Sequence, residues 1–266
     1  MIKLLQTVRD RASRQLLHAA RRLATDAGWA QICYDLGAPG MLAGLLALRA
    51  RGVLLQSVID AGACIGDWTR LLRRVFPDAK VLMIEPQQRH MATLERFCGR
   101  ELGISFASSL LGPPELKETA FVILDDTAGG TGSSVFPENS NVPRHVVTLP
   151  VTTLDELIQK YSMQPPDLIK LDVQGYELEV LKGATSALTT AGFVLMEVSL
   201  WPYNQGSPLL AEVVGWMDEH GFRAYEIFDI SRRGDGVLVQ IDILFIRKNS
   251  ALVSNAMTLF SVSERG

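Results

Sequence analysis

One segment of the sequence joins an acidic residue to glycines at the end of an apolar run, where a ligand could bind. It reads DAGACIGDW, from Asp60 to Trp68. Gly62 and Gly66 would allow a tight turn and a close approach to the backbone, and a helix beginning there would present free N–H groups. A pyrophosphate binds such a helix end in dinucleotide folds, but the spacing is not G-x-G-x-x-G and Asp60 would repel phosphate. A cationic, amino-acid-bearing ligand fits this charge better, and S-adenosylmethionine is the common one.

Acidic residues also close two later apolar runs. Glu85, followed by Pro86, comes 19 residues after Gly66, near the spacing at which an acid binds the ribose of a nucleoside. One carboxylate can accept hydrogen bonds from both hydroxyls of a vicinal diol. Asp172 ends the run Leu168–Leu171 and precedes a glycine turn, and a buried acid at such a strand end needs a partner. Glu177, in the first turn of the next helix, could serve only to cap it.

These acids need elements that bring them together, and the apolar pattern predicts such elements. Short apolar runs alternate with helical stretches, which is typical of βαβ units and of a mostly parallel sheet buried on both faces. The predicted strands are 55–61, 79–84, 104–110, 167–172, 193–198, 222–228 and 237–246. The predicted helices are 2–25, 41–51, 67–75, 87–102, 154–161, 176–189 and 209–220. The last two strands are close in sequence and should form an antiparallel pair.

Two regions depart from this alternation. The segment 112–150 is rich in proline and glycine but holds two strand-like runs, at 120–124 and 145–151, which favour an ordered arm over the sheet. The first 25 residues read as a basic amphipathic helix. Such a helix could pack on the domain or on a second subunit of a homo-oligomer, or it could dock on anionic lipid or a negatively charged substrate.

Composition excludes several classes of protein. The chain has 266 residues, 47% hydrophobic and 21% charged, with a net charge of −3, so disorder and a general nucleic-acid binder are not expected. No apolar run is long enough to cross a bilayer, and charges near Arg9 argue against a signal peptide. Three widely spaced cysteines, Cys33, Cys64 and Cys98, indicate free thiols and a cytoplasmic location.

Taken together, the segments resemble the FkbM family of S-adenosylmethionine-dependent methyltransferases. The resemblance extends over about 58–247 and rests on Asp60–Gly66, Glu85-Pro86, Gly132–Ser134, Thr153–Leu157, Lys170–Ala184 and Gln240–Phe245. It implies a class I, Rossmann-like methyltransferase fold with seven strands, mostly parallel, and an antiparallel last strand. The domains would then be a helical extension 1–52, a methyltransferase domain 53–248 with the arm 112–150, and a tail 249–266.

The resemblance also implies an activity and a set of ligand contacts. Family members methylate hydroxyls of sugars, glycans or secondary metabolites, so a small molecule or glycan is the expected acceptor. The methionine part of S-adenosylmethionine would be held by Asp60, Gly62 and Gly66, with Ala63 in the same turn. Glu85, with Pro86 beside it, would bind the ribose, and Ser108 or Ser109 would lie beside the adenine.

Methyl transfer to a hydroxyl also calls for a general base. The candidates are Asp172, Glu197 at the end of the run 193–198, and His145 in the arm. Trp201 and Tyr203 follow Glu197 and could stack on a sugar or pack beneath the next helix. No tight carboxylate cluster calls for a metal, so none is expected.

Two other functions remain open from the residues alone. One is an NAD- or nucleotide-sugar-dependent oxidoreductase, which the missing third glycine and Asp60 argue against. The other is a cofactor-binding partner subunit without turnover, which the acids at positions 60, 85 and 172 argue against.

Overall fold

The computed structural model describes residues 25–36, 38–125 and 132–255. The predicted amphipathic helix 2–25 lies outside these residues except for Thr25, as does most of the predicted tail. No helix in the described part of the chain is long and apolar enough to cross a membrane.

A seven-stranded sheet forms the centre of the molecule. Its strands are β1 (Ser57–Ala61), β2 (Lys80–Ile84), β3 (Ile104–Ala107), β7 (Leu168–Leu171), β8 (Phe193–Ser199), β9 (Phe222–Arg232) and β10 (Leu238–Arg247). They lie in the order β3-β2-β1-β7-β8-β10-β9. Strand β10 runs antiparallel to both of its neighbours, and the other adjacent pairs are parallel. The predicted seven strands and antiparallel last strand are therefore confirmed.

Apolar side chains cover both faces of this sheet. Along β1, Val58 belongs to one core cluster and Ile59 to the other, as expected when successive side chains point to opposite faces. All five residues of β1 are buried. This burial on both faces explains why the parallel strands appear in the sequence as continuous apolar runs.

Helices flank the sheet much as predicted, with three differences. The predicted helix 87–102 is a short 3-10 turn, Gln88–His90, followed by a shorter helix. The predicted helix 176–189 is two helices broken at Gly183, where an added Cβ would lie 2.2 Å from the carbonyl oxygen of Gly112. Neither the first nor the last described helix was predicted. The helices are α1 (Asp26–Asp35), α2 (Met41–Ala50), α3 (Asp67–Val75), α4 (Met91–Cys98), α5 (Leu154–Lys160), α6 (Glu177–Lys182), α7 (Thr185–Thr190), α8 (Leu210–Glu219) and α9 (Ala251–Asn255).

The irregular segment 112–150 supplies two strands of a second, smaller sheet. This sheet has the order β4-β6-β5, from β4 (Leu110–Leu111), β5 (Glu118–Leu124) and β6 (Arg144–Thr152). The two predicted strand runs of the arm are confirmed as parts of β5 and β6, which pair antiparallel. Ser134, on the stretch that connects them, bridges to Val122 and donates a 2.8 Å hydrogen bond to the carbonyl of Gln174. The arm is thereby tied to the carboxyl edge of the central sheet.

Candidate active site

A cleft of about 450 Å³ opens at the carboxyl ends of β1, β2, β7 and β8. Its volume lies in the ordinary range for small-molecule sites, roughly 300–1,000 Å³. The sheet contributes Gly62, Glu85, Asp172 and Glu197 to its walls, and the arm contributes apolar side chains such as Phe121. Four of the residues singled out in the sequence therefore face one space, at the sheet edge where open α/β folds bind ligands.

The glycine turn after β1 is shaped by close backbone packing. Gly62 has φ +77°, and an added Cβ would lie 1.9 Å from the carbonyl oxygen of Asp172. Gly66, with φ +83°, precedes α3, and a Cβ there would meet the ring of Phe97 at 2.8 Å. Gly62 lines the cleft, whereas Ala63 is buried in the core. The turn therefore presents backbone rather than side chains to the cleft on its Gly62 side.

Asp60 lies beneath the cleft and not on its wall, so its predicted part in holding the methionine portion of the ligand stays a prediction. Its carboxylate is fully buried, accepts a 2.6 Å hydrogen bond from the Thr69 hydroxyl, and forms an ion pair with the Lys170 ammonium at 3.3 Å. Lys170, on β7, is also buried and pairs with Asp172 at 3.3 Å. Burial alone would lower the pKa of Lys170, but the Asp172 and Asp60 carboxylates outweigh it and raise that pKa.

Glu85 is held rigidly at the end of β2. One carboxylate oxygen accepts the backbone N–H of Cys64 and the other that of Gln87, both at 2.9 Å. Burial raises the pKa of Glu85, while these hydrogen bonds oppose the rise. A carboxylate oxygen has two lone pairs, so one that already accepts an N–H group can accept a further hydrogen bond, which is what a ribose diol would need. Glu85 and Pro86 both line the cleft.

The two serines after β3 are placed differently. Ser109 lines the cleft, whereas Ser108 is exposed and is not part of its wall. Of the two residues predicted to lie beside an adenine, the structure therefore favours Ser109.

Asp172 and Glu197 share one amide donor. Gln174 Nε2 donates to Asp172 Oδ1 and to Glu197 Oε2, both at 2.9 Å. Gln240 Nε2, on β10, donates a second hydrogen bond to Glu197 Oε2 at 2.8 Å. Gln174 adopts φ +56°, a left-handed conformation that is uncommon for a residue other than glycine. The strained turn thus places an amide between two carboxylates in the wall of the cleft.

Further acids raise the density of negative charge on this side. Asp242 lies directly opposite Glu197 in the pairing of β8 with β10. Burial raises the pKa of Glu197 well above its usual value, and the Asp172 and Asp242 carboxylates raise it further. Burial, followed by Asp172, likewise raises the pKa of Asp242 to about 7. Glu177, which accepts the N–H groups of Val173 and Gly175, is buried, and this burial raises its pKa to about 7.

His145 is not part of the cleft, which corrects its selection as a candidate base. It lies on β6, its side chain is 54% exposed, and Nδ1 is 2.8 Å from Asp125 Oδ1. Tyr203 does line the cleft, and burial together with Glu138 raises its pKa to about 12. Trp201 is 57% exposed, with its indole N–H bonded to the carbonyl of Leu238, and does not line the cleft.

Several residues in the wall of the cleft or directly behind it had no role in the sequence interpretation. Lys170, Gln174 and Gln240 lie within quoted motifs, but their roles depend on which strands are neighbours in the sheet. Glu138 comes from the arm, where no local pattern indicates a contact with the cleft. In the described ranges, no three His, Cys, Asp or Glu side chains are arranged to hold a metal ion.

The strand order, the antiparallel β10 and a cleft at the carboxyl edge define a class I methyltransferase fold. The family model of the methyltransferase FkbM domain matches residues 60–224, which is more than half of the chain. The chain belongs to the FkbM methyltransferase family.

One curated relative and two solved structures illustrate what the chain is similar to. Hexuronic acid methyltransferase AglP of Haloferax volcanii is 42% identical over 52 residues, which is 20% of this chain and 22% of that protein. Magnesium protoporphyrin IX methyltransferase of Synechocystis PCC 6803 is 12% identical, with a TM-score of 0.44 and coverage of 84% and 81% of the two chains. N-methyltransferase NodS of Bradyrhizobium japonicum is 11% identical, with a TM-score of 0.43 and coverage of 77% and 93%.

Proposed function

We propose that this chain transfers a methyl group from S-adenosylmethionine to a hydroxyl of a sugar, a glycan or a related hydroxylated metabolite. The observation that carries the proposal is that Gly62, Glu85, Asp172 and Glu197 face one cleft. Membership of a methyltransferase family supports the reaction, and the partial likeness to a hexuronic acid methyltransferase supports a carbohydrate acceptor. Because that likeness extends over about a fifth of each chain, the acceptor itself is not carried over.

The residues on the β1–β2 side fit the cofactor. Gly62 brings its backbone to the wall of the cleft, and Glu85 lines the cleft with a carboxylate that two backbone N–H groups orient. Ser109 lies at the end of the cleft where β3 leads into β4. When bound, S-adenosylmethionine supplies a methyl group made electrophilic by the sulfonium.

Asp172 is the better placed of the two acids to accept the hydroxyl proton. Its side chain is 39% exposed and is held by Lys170 and Gln174, so one face of the carboxylate is open to an acceptor. Glu197 is more deeply buried, and its raised pKa favours its protonated form. We therefore assign Asp172 as the general base and Glu197 as the second acid that orients the acceptor, since methyl transfer requires the oxygen in line with the departing sulfur.

Ligand-induced stabilisation followed by product analysis tests this function. S-adenosylhomocysteine should raise the melting temperature and NAD should not, because a ligand that binds only the native state stabilises it. Incubation with S-adenosylmethionine and a panel of sugars should add one methyl group to a hydroxyl, detected by mass spectrometry. A shift with NAD alone would indicate an oxidoreductase. Binding of S-adenosylhomocysteine by a chain that methylates no acceptor would indicate a partner subunit.

The variant Asp172→Asn tests the assignment of the base. We expect kcat to fall by roughly 10²- to 10⁴-fold, the usual contribution of a general base, with the affinity for S-adenosylhomocysteine nearly unchanged. Asp235→Asn, in an exposed turn, is the matched control and should leave kcat unchanged. A comparable loss of cofactor affinity in Asp172→Asn would assign this residue to binding instead.

A further inference from the structure

The charged side chains that line the cleft are all acidic in the part of the chain that the structure describes. They are Glu85, Glu138, Asp172 and Glu197. No lysine, arginine or histidine is among the described residues of its walls. Among the described residues of these walls, a carboxylate of the acceptor would therefore have no cationic side chain to pair with, although such groups are usually bound by the paired N–H donors of arginine or by lysine.

Basic side chains adjoin the cleft, but each is engaged elsewhere. Lys170 lies behind the wall between Asp60 and Asp172. Arg89 donates to the Gln87 side chain and to the carbonyl of Leu124. Arg144 donates to the carbonyls of Glu138 and Ser140. The arm segment 126–131 reads DTAGGT, so its sequence adds no basic residue.

Neutral groups that suit hydroxyls are present on the β8 side. The amides of Gln174 and Gln240 meet at Glu197, and the Tyr203 phenol, which bonds to Glu138, lies on the same side. Amides donate to sugar hydroxyls and accept from them, and carboxylates accept from them, without requiring charge on the sugar. A buried anion facing the carboxylates of Glu138 and Asp172 would be disfavoured both by desolvation and by charge repulsion.

We propose that the acceptor site selects against negative charge, so that this enzyme methylates a neutral or amino sugar in preference to a hexuronic acid. This inference rests on the proposed sugar O-methylation and refines its substrate class. The selecting element is the acidic wall formed by Glu138 and Asp172.

A set of sugars that share the same ring structure but differ in charge provides the test. The full chain is incubated with S-adenosylmethionine and with a hexuronic acid glycoside, the corresponding hexuronamide, the parent hexose and the hexosamine. The uronamide matches the uronate in shape but lacks its charge. We expect the neutral or amino sugars to exceed the uronate in kcat/KM by roughly tenfold or more, because an unpartnered buried charge costs at least a factor of ten. Equal or faster transfer to the uronate overturns the inference and leaves sugar methylation standing.

A charge-removing variant sharpens the same test. Glu138→Gln keeps an acceptor for Tyr203 but removes a charge from the wall, so the preference for uronamide over uronate should fall about threefold or more, a change of the size expected from one nearby charge. Glu118→Gln, on the exposed side of the same arm, is the control and should leave the preference unchanged. An unchanged preference in Glu138→Gln overturns the role of the acidic wall.

Failure of the proposed function has a different signature. If no sugar gains a methyl group, sugar methylation is wrong, and the charge preference is decided by ligand-observed NMR on the chain loaded with S-adenosylhomocysteine. Weaker binding of the uronate than of the uronamide then supports the selection. Equal or tighter binding of the uronate, or no binding of either, overturns it.

Discussion

The two halves of the sheet edge treat their carboxylates differently. On the β1–β2 side, Asp60 is bonded to Thr69 and Glu85 accepts two backbone N–H groups. On the β7–β8–β10 side, Asp172 and Glu197 share the amide of one glutamine, and Asp242 stands opposite Glu197. On the first side the donors to the acids are a hydroxyl and backbone N–H groups, whereas on the second side they are the side chains of Lys170, Gln174 and Gln240.

This difference fits two separate roles, the binding of a ligand on the β1–β2 side and the uptake of a proton on the β7–β8–β10 side. A carboxylate whose oxygens are met by fixed donors is oriented before any ligand arrives, which suits recognition of a ribose. On the second side, burial and neighbouring carboxylates raise the pKa of Glu197 and of Asp242, so protons are bound more readily there, and this suits the removal of a hydroxyl proton. Lys170 lies at the boundary, because it pairs with an acid from each half, Asp60 and Asp172.

The largest expected effect comes from removing the buried acid of the first half. Asp60→Ala leaves Lys170 with one partner in a fully buried position, and we expect a loss of roughly 3–5 kcal/mol in the free energy of unfolding, measured by chemical denaturation. This outcome would assign Asp60 to structure. Unchanged stability with lost binding of S-adenosylhomocysteine would instead return it to the ligand contacts.

Thr69→Val is the matched control for that experiment. It removes the hydroxyl that donates to Asp60 but keeps the ion pair with Lys170. The expected loss is smaller, roughly 1–3 kcal/mol, because only one buried hydrogen bond is broken.

The second prediction concerns Gly62, where the two halves touch. In Gly62→Ala the new methyl group would collide with the backbone of Asp172, so β1 and β7 would have to separate at the cleft. We expect roughly 2–4 kcal/mol of destabilisation, from left-handed strain plus overpacking, together with weaker binding of S-adenosylhomocysteine.

Gly52→Ala isolates the strain from the collision. Gly52 has a similar φ of +82° but nothing within 4 Å of an added Cβ. Only the left-handed conformation should destabilise Gly52→Ala, so we expect its free energy of unfolding to fall by roughly 1–2 kcal/mol, with ligand binding retained. Equal losses in the two variants would mean that the junction between β1 and β7 can relax.

Local sequence predicted the first half of the site better than the second. The strand, the glycine turn and α3 follow each other within 57–75, so their geometry is local, and Glu85 follows at a characteristic spacing. The seven strands were likewise visible because apolar runs report burial on both faces. Even here the sequence did not show that Asp60 is buried against Lys170, since the position of this partner depends on the pairing of β1 with β7.

The second half depends on contacts between distant parts of the chain. Gln240 reaches Glu197 only because β10 inserts beside β8, and Glu138 reaches the cleft because the arm folds back across the sheet edge. His145 was chosen for the usual pKa of histidine, but the alternation of β6 places it 54% exposed, outside the cleft. Chemical type alone could not show which way that side chain faces.

The smallest expected effect tests whether the second half is crowded with negative charge. Asp242 has a pKa raised from 3.8 to about 7, so the folded chain keeps a proton that the unfolded chain has released. Its contribution to stability is therefore complete below about pH 4 and is lost as the pH rises through 7. In Asp242→Asn the side chain at this position is uncharged at every pH, so the variant does not lose this stability as the pH rises. We expect its free energy of unfolding, relative to that of wild type, to increase by on the order of 1–3 kcal/mol between pH 4 and pH 8, since one pKa unit corresponds to about 1.4 kcal/mol.

Asp235→Asn gives the control of opposite sign. Asp235 is exposed, and its hydrogen bond with Arg233 lowers its pKa to about 2, so its contribution is present above about pH 4 and is lost as the pH falls through 2. Its replacement should lower stability slightly at neutral pH and not below pH 2. Melting temperatures of the three proteins across this pH range measure both trends. A difference between Asp242→Asn and wild type that does not change with pH would mean that neither burial nor the Asp172 and Asp229 carboxylates raise the pKa of Asp242, and the contrast between the two halves would then rest on hydrogen bonding alone.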